Sequence, residues 1–272
     1  MSDSLITIGN FSIKWYSVLI VFSVIISIIF IVKEAKKFKI DKDFLINLLF
    51  WTILFGIIGA RVYYCIFNFE YFSNNIIDVF KIWEGGLAIH GALIAGAATI
   101  LIYCKKYKVP SLLIFDIMVP FLLLSQAIGR WGNFFNQEAY GSLTTIDTLH
   151  KLFIPDFIIY GMNINGAYYL PMFYFESLWC LLGVIVLLVI RKLKYTKIGV
   201  QFGVYLMWYS FGRFFIEYFR TDSLMFGYFK VAQIISLILF ILGLIILLIQ
   251  YRKPKLDNLY REYKEIDVKH FK

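Results

Sequence analysis

The chain has 272 residues, of which 60% are hydrophobic, 19% aromatic and only 17% charged, with a net charge of +9. Soluble domains carry about one charged residue in four, so this balance excludes an ordinary soluble protein and marks an integral membrane protein. The basic excess does not indicate nucleic acid, because the lysines fall in short clusters between apolar runs. The three cysteines and three histidines show no ligand or redox spacing, so no metal is expected.

Residues 1–13 are short and polar, with Asp3 in place of a cationic flank, and do not read as a signal peptide. The first apolar run, 14–32, is long enough to cross a hydrocarbon core of about 30 Å at about 1.5 Å per residue. Lys33, Lys36, Lys37, Lys39 and Lys42 follow it, and no small-residue cleavage site precedes them, so the run reads as a retained anchor. The second run, 44–67, carries Arg61 in its final third. Beyond it, 75–83 reads as a short interfacial helix with Trp83 at headgroup level. The third run, 86–103, has His90 near its start and Lys105, Lys106 and Lys108 after its end.

The fourth run, 111–129, has Asp116 near its beginning and leads into GRWGNFFNQEAYG, residues 129–141. Here a fixed cation (Arg130), two amides (Asn133 and Asn136), a carboxylate (Glu138) and three glycines crowd together. A helical turn would put Arg130, Asn133 and Gln137 on one face. Charged groups near hydrocarbon are costly and default to function; the alternative is a satisfied polar helix end in interfacial water. The only long segment outside the apolar runs follows, and IIYGMNINGAYYLP within it predicts a β-hairpin about Asn165 and Gly166.

The fifth run, 173–190, has Glu176 early in it and is followed by Arg191, Lys192, Lys194 and Lys197. In the sixth, 199–219, Tyr209, Arg213 and Glu217 are spaced to share one helix face with Arg220. The seventh, 231–250, precedes a charged tail, 251–272, that reads as solvated. The expected fold is an all-α integral membrane protein: one seven-helix domain over 1–250 with a small extracytoplasmic head over about 130–172, and a cytoplasmic tail. Lysines and arginines concentrate after the odd-numbered runs, which places the N-terminus outside and the C-terminus in the cytoplasm.

With that orientation, Arg213 lies roughly 20 Å from the cytoplasmic end of its span. Tyr16, Arg61, His90, Arg130, Glu138, Glu176 and Glu217 also map toward the outer leaflet, and only Asp116 lies on the cytoplasmic side. Arg213 and Glu217 can pair with each other, but beside Arg130 the preferred reading leaves an arginine for an anion, since guanidinium is planar, permanently charged and bidentate toward phosphate. Arg61 and Glu176 read as a structural pair.

WEGGLAIHGALIAG, GRWGNFFNQEAYG, PMFYFES and YSFGRFFIEYFRTD, in that order within seven spans, closely resemble bacterial prolipoprotein diacylglyceryl transferases. The likeness runs from Trp15 to Asp222, and its most specific part is the second block. It implies a multi-pass enzyme of the bacterial plasma membrane that works near the outer leaflet. Such enzymes move the diacylglyceryl group of phosphatidylglycerol to the cysteine thiol of a lipoprotein precursor's signal peptide and release glycerol phosphate. The family's functional positions fall on Tyr16, His90, Arg130, Asn133, Glu138, Gly141, Tyr209, Arg213 and Glu217. Two positions depart from the pattern: Leu170 stands where many members have His, and Phe175 where Tyr is usual. No chemistry in this chain can therefore depend on a histidine at 170.

Under this reading Arg130 and Arg213 stabilise charge developing on the departing phosphate. His90 is the natural proton acceptor by its ordinary pKa, with Glu138 or Glu217 as alternatives that could instead orient an arginine. Asn133 and Tyr209 bind the glycerol headgroup, and Tyr16 lines the entrance. No cofactor is expected, because phosphate is already a competent leaving group. The rivals are a lipid or solute transporter or flippase without covalent chemistry, which predicts polar groups at the midplane and repeated halves, and a non-catalytic lipid-binding protein.

Overall fold

The structure, a computed structural model of the chain, describes residues 4–8, 11–220, 225–254 and 258–262. Asp3, Thr221, Asp222, His270 and much of the tail lie outside the described residues. The fold is mostly helical with small sheets. Strands β1 (Ser4–Ile8) and β2 (Phe11–Lys14) pair ahead of α1 (Trp15–Ala35), where the sequence suggested only a short polar segment. The remaining long helices are α2 (Lys42–Phe67), α4 (Ile89–Lys106), α5 (Ser111–Asn136), α8 (Met172–Lys192), α9 (Val200–Phe219) and α10 (Val231–Arg252). Five helical stretches, those built on α1, α2, α5, α8 and α10, are long and apolar enough to cross a membrane. Outside that set are α4, which ends on Lys105 and Lys106, and α9, which carries Arg213 and Glu217.

Contacts divide the described chain into two units, one running to Ile31 and then from Phe115 onward, the other Val32–Ile114. In the second unit, α2 and α4 cross through glycines: a methyl group on Gly91 would strike the Gly59 carbonyl, so only small residues permit this approach. After α2 come α3 (Phe69–Asn74) and two short 3-10 turns, Ile76–Phe80 and Ile82–Glu84. The single interfacial helix expected over 75–83 is thus broken, at Lys81 between the two turns, and the β-branched pair Ile76–Ile77 does not favour an α-helix. Arg61 holds this loop. Its guanidinium, on a residue 8% exposed, donates to the backbone oxygens of Val79 (2.9 Å), Gly85 (2.8 Å), Gly86 (3.0 Å), Lys81 (3.4 Å) and Asp78.

In the first unit, α1 meets α5 along a hydroxyl seam in which Ser27 donates to the Phe121 carbonyl (2.8 Å) and Ser125 to that of Ser23 (3.0 Å). Pro120 lies inside α5 and has no N–H for the carbonyl of Asp116 four residues back. The Arg191 Nη2 donates to that oxygen at 2.6 Å. The Asp116 carboxylate in turn accepts from the Gly199 and Phe202 amides (2.6 and 2.8 Å), so α5 caps the N-terminus of α9.

Helices α8 and α9 pack by exchange: the Trp179 indole lies where a methyl on Gly212 would go, and the Trp208 indole does the same at Gly183. The two rings stack 4.3 Å apart, and each Nε1 donates to the other residue's carbonyl at 3.0 Å. Strands β6 (Met225–Phe226) and β7 (Phe229–Lys230) form a hairpin that leads into α10.

The segment between α5 and α8 is a compact head of β3 (Leu143–Thr144), α6 (Ile146–Lys151), α7 (Asp156–Gly161), β4 (Asn163–Ile164) and β5 (Ala167–Tyr169), with sheet order β3-β5-β4. The expected hairpin is present: Ile164 pairs with Ala167 across Asn165 and Gly166, whose φ values of 53° and 83° give the tight turn this dipeptide favours. Leu149, Ile158, Ile159 and Met162 fill its core against Phe134 and Phe173 at the ends of α5 and α8.

Among the described residues of the tail, 258–260 are packed against the fold. Leu259 and Tyr260 are buried, Ile198 donates to the Asn258 carbonyl (2.8 Å) and Tyr260 to that of Thr196 (2.8 Å), which docks 258–260 on the α8–α9 loop.

Candidate active site

The GRWGNFF block forms the last two turns of α5, which runs past the expected end of the fourth run. Arg130 and Asn133 share a face there, but Gln137 does not join them. It lies beyond the helix with φ 51° and donates to the Gly161 carbonyl at 3.0 Å.

Glu176 organises the charge in the first unit. On α8 and 3% exposed, it takes Arg130 Nη2 on Oε1 at 2.7 Å and Arg213 Nη1 on Oε2 at 3.2 Å. One carboxylate from α8 therefore draws together guanidiniums from α5 and α9. The expected Arg61–Glu176 pair is not formed: Arg61 is taken up by backbone carbonyls within its own unit and Glu176 by the two arginines. Arg213 also pairs through Nη2 with Glu217 one turn on (2.7 Å), and Arg220 approaches the same carboxylate at 3.9 Å. The expectation that an arginine is left unpaired is corrected: both are ion-paired, because a buried charge needs a partner. Tyr209 lies beside Arg130, one helical turn before Arg213, and its ring stacks on Tyr205 at 6.2 Å.

A second polar group closes the end of α5. Asn133 and Asn136 both donate to Glu138 Oε1, at 3.0 and 3.2 Å, at an exposed position. Gly141 pairs with Leu170, its N–H reaching the Leu170 carbonyl at 2.9 Å, and forms a bridge with Arg220. A methyl group there would meet Leu170 and Met172 at 2.9 Å, so Gly141 acts through close packing. Tyr16, near the start of α1, lays its ring against Gly132 on α5. His90 belongs to the other unit, half-buried in the first turn of α4, with its ring 6.1 Å from that of Tyr63.

Two supports escaped the sequence reading. Trp131 donates to Ser177 (3.2 Å), which donates to the Ala127 carbonyl (2.9 Å), fixing α8 against α5 beside Arg130 and Glu176. Lys230 donates to the carbonyls of Glu217, Tyr218 and Arg220 (2.6, 3.2 and 2.9 Å), capping the last turn of α9. A lysine ahead of an apolar run looks like a loop charge, and only the return of the β6–β7 hairpin brings it to α9.

Apolar helices joined by arginines clamped on a buried carboxylate define a multi-pass membrane protein with a charged site among α5, α8 and α9. The profile of the prolipoprotein diacylglyceryl transferase family matches residues 3–249, and the chain belongs to that family. Among its relatives, the phosphatidylglycerol–prolipoprotein diacylglyceryl transferase of Listeria monocytogenes serotype 4b is 49% identical over 94% of this chain and 91% of its own length. Proteins of the same name from Staphylococcus haemolyticus (46% identical, 94% and 90% covered) and Ligilactobacillus salivarius (44% identical, 95% and 95% covered) are also similar.

Proposed function

We infer that this chain transfers the diacylglyceryl group of phosphatidylglycerol to the lipobox cysteine of prolipoproteins, making a thioether and releasing glycerol phosphate. The observation that carries the reading is the meeting of Arg130 and Arg213, from different helices, on Glu176 in a chain of this family. In the reaction, the thiol sulfur attacks the glycerol carbon that bears the phosphate. The carbon–sulfur bond forms as the carbon–oxygen bond breaks, its electron pair passes to the phosphate oxygen, and the thiol proton passes to a base.

Charge grows on the departing oxygen, so prearranged guanidiniums are the main requirement in a site shielded from water. Both terminal nitrogens of Arg213 are committed to carboxylates, whereas Arg130 commits one. Arg130 therefore carries the greater share of the phosphate contact, and Arg213 holds the frame. Asn133 and Tyr209 bind the glycerol headgroup, Glu138 orients Asn133, and Tyr16 with Gly141 shapes the entrance. His90, Glu138 and Glu217 are the candidate proton acceptors. An apolar groove of about 420 Å³ on α8 and α9, lined by residues that include Phe175, Trp179, Phe211 and Phe215, offers a surface suited to hydrocarbon.

The placement proposed is seven spans in the bacterial plasma membrane, N-terminus outside, with the head and the arginine cluster toward the outer leaflet and the substrate lipid entering sideways. The test is incubation of purified protein with phosphatidylglycerol and a lipobox peptide, followed by mass spectrometry. A thioether-linked diacylglyceryl peptide and free glycerol phosphate are expected. Lipid movement between leaflets with no adduct would instead support a flippase.

A further inference from the structure

The head carries an apolar face that stays largely exposed among the described residues. Phe153, in the turn between α6 and α7, has a left-handed backbone with φ 56°, uncommon for a bulky residue, and the residue is 90% exposed. On α7, Phe157 and Tyr160 are one turn apart and share a face. They are 56% and 73% exposed, while Ile158 and Ile159 on the other side fill the head's core.

A single contact sets the level of this face along the span. Phe157 stacks on Trp131 with centroids 6.3 Å apart and planes at 11°. Trp131 adjoins Arg130 and lies five residues before α5 ends at Asn136, roughly 7–8 Å back along the axis at about 1.5 Å per residue. The head's second helix thus lies beside the end of α5, not beyond it. Where an apolar span ends, headgroups meet acyl chains, and aromatic side chains partition into that layer.

We infer that the α6–α7 corner is a membrane anchor: Phe153, Phe157 and Tyr160 are immersed at the headgroup–acyl boundary of the leaflet that the C-terminal end of α5 reaches, and the occupant of this face is lipid. The inference rests on the length and apolarity of α5 and not on the transferase reading.

For the test, Phe153→Cys and Tyr160→Cys are each labelled with a small environment-sensitive fluorophore in proteoliposomes, with Leu152→Cys as a third site should either variant misfold. The parent protein sets the background from Cys65, Cys104 and Cys180. Lipid brominated near the headgroup end of its chains should remove most of the emission and aqueous iodide little, regardless of protein dilution in lipid or addition of lipobox peptide. Strong iodide quenching would overturn the inference. So would shielding that disappears on dilution, which would assign the face to a second copy, or shielding that begins only with peptide, which would assign it to substrate. Emission is read without turnover, so failure here and failure of the transferase assignment are separate results.

Discussion

Arg130 and Glu176 stand 2.7 Å apart, on helices that a 35-residue stretch carrying the whole head separates in sequence. The carboxylate joins the α5 and α9 guanidiniums, so its removal takes from Arg130 its carboxylate partner and from Arg213 one of two. Breaking a buried ion pair by deleting one partner costs about 3–5 kcal/mol. Glu176→Ala is expected to lower thermal stability in detergent by an amount of that order, and Glu176→Gln, which keeps the shape and one acceptor oxygen, by clearly less. Retention of parent stability by the alanine variant would show that the arginines find other partners.

The two arginines are expected to respond differently to the same substitution. Under the proposed function, Arg130→Gln removes a donor to the leaving phosphate together with one ion pair to Glu176, and loss of one such donor typically costs about 10²–10³ in kcat. Arg213→Gln also breaks two ion pairs, so it should lower activity and thermal stability together. Lysine tests the distinction, because it keeps the charge but loses the fork. Arg130→Lys should recover part of the rate, whereas Arg213→Lys, unable to bridge Glu176 and Glu217, should not recover stability. Steady-state rates with phosphatidylglycerol and melting curves on the same preparations decide this.

The helices and the Asn165–Gly166 hairpin were legible because apolar runs of span length and a two-residue turn are local signals. The meeting of Arg130 with Arg213 was legible from depth, since both map toward the outer leaflet, and the family's motifs point to the same two residues. Glu176 shows the limit. Pairing it with Arg61 satisfied charge balance, but Arg61 instead satisfies carbonyls of the loop after its own helix, a partner set carrying no charge signal. Arg191 and Lys197 make the same point: counted as loop charges, they are buried, one serving the carbonyl that Pro120 frees and the other capping α10 at the carbonyls of Gln250 and Lys253.

Arg61→Ala should loosen the 78–86 loop without melting α2, because several backbone oxygens lose their donor at once. Hydrogen exchange resolved by peptide is the measurement, with faster exchange confined to that loop and the start of α4. The same loop should respond to acid. Asp78 pairs with Lys81 (2.6 Å) and accepts from Tyr71 (2.7 Å), contacts that hold its carboxyl below the ordinary carboxylate range. A carboxyl lowered on folding contributes stability above its unfolded pKa of about 4 and loses it as pH falls through the lower folded value. Exchange in the loop should therefore be flat from neutral pH down to about 4, after correction for the intrinsic rate, and rise below it.

Asp116 separates stability from catalysis. Its carboxylate accepts two backbone N–H groups at the N-terminus of α9, and it lies fourteen residues before Arg130 on α5, roughly 20 Å along the axis. In Asp116→Asn one of the two accepting oxygens becomes a donor facing a donor, and a hydrogen bond to a charged group is worth about 1.5–3 kcal/mol. The variant should melt at a lower temperature, while kcat and KM measured well below that temperature stay at parent values. A fall in kcat without a fall in melting temperature would mean that the N-terminus of α9 communicates with Arg213, and would require the frame of the site to extend the full length of that helix.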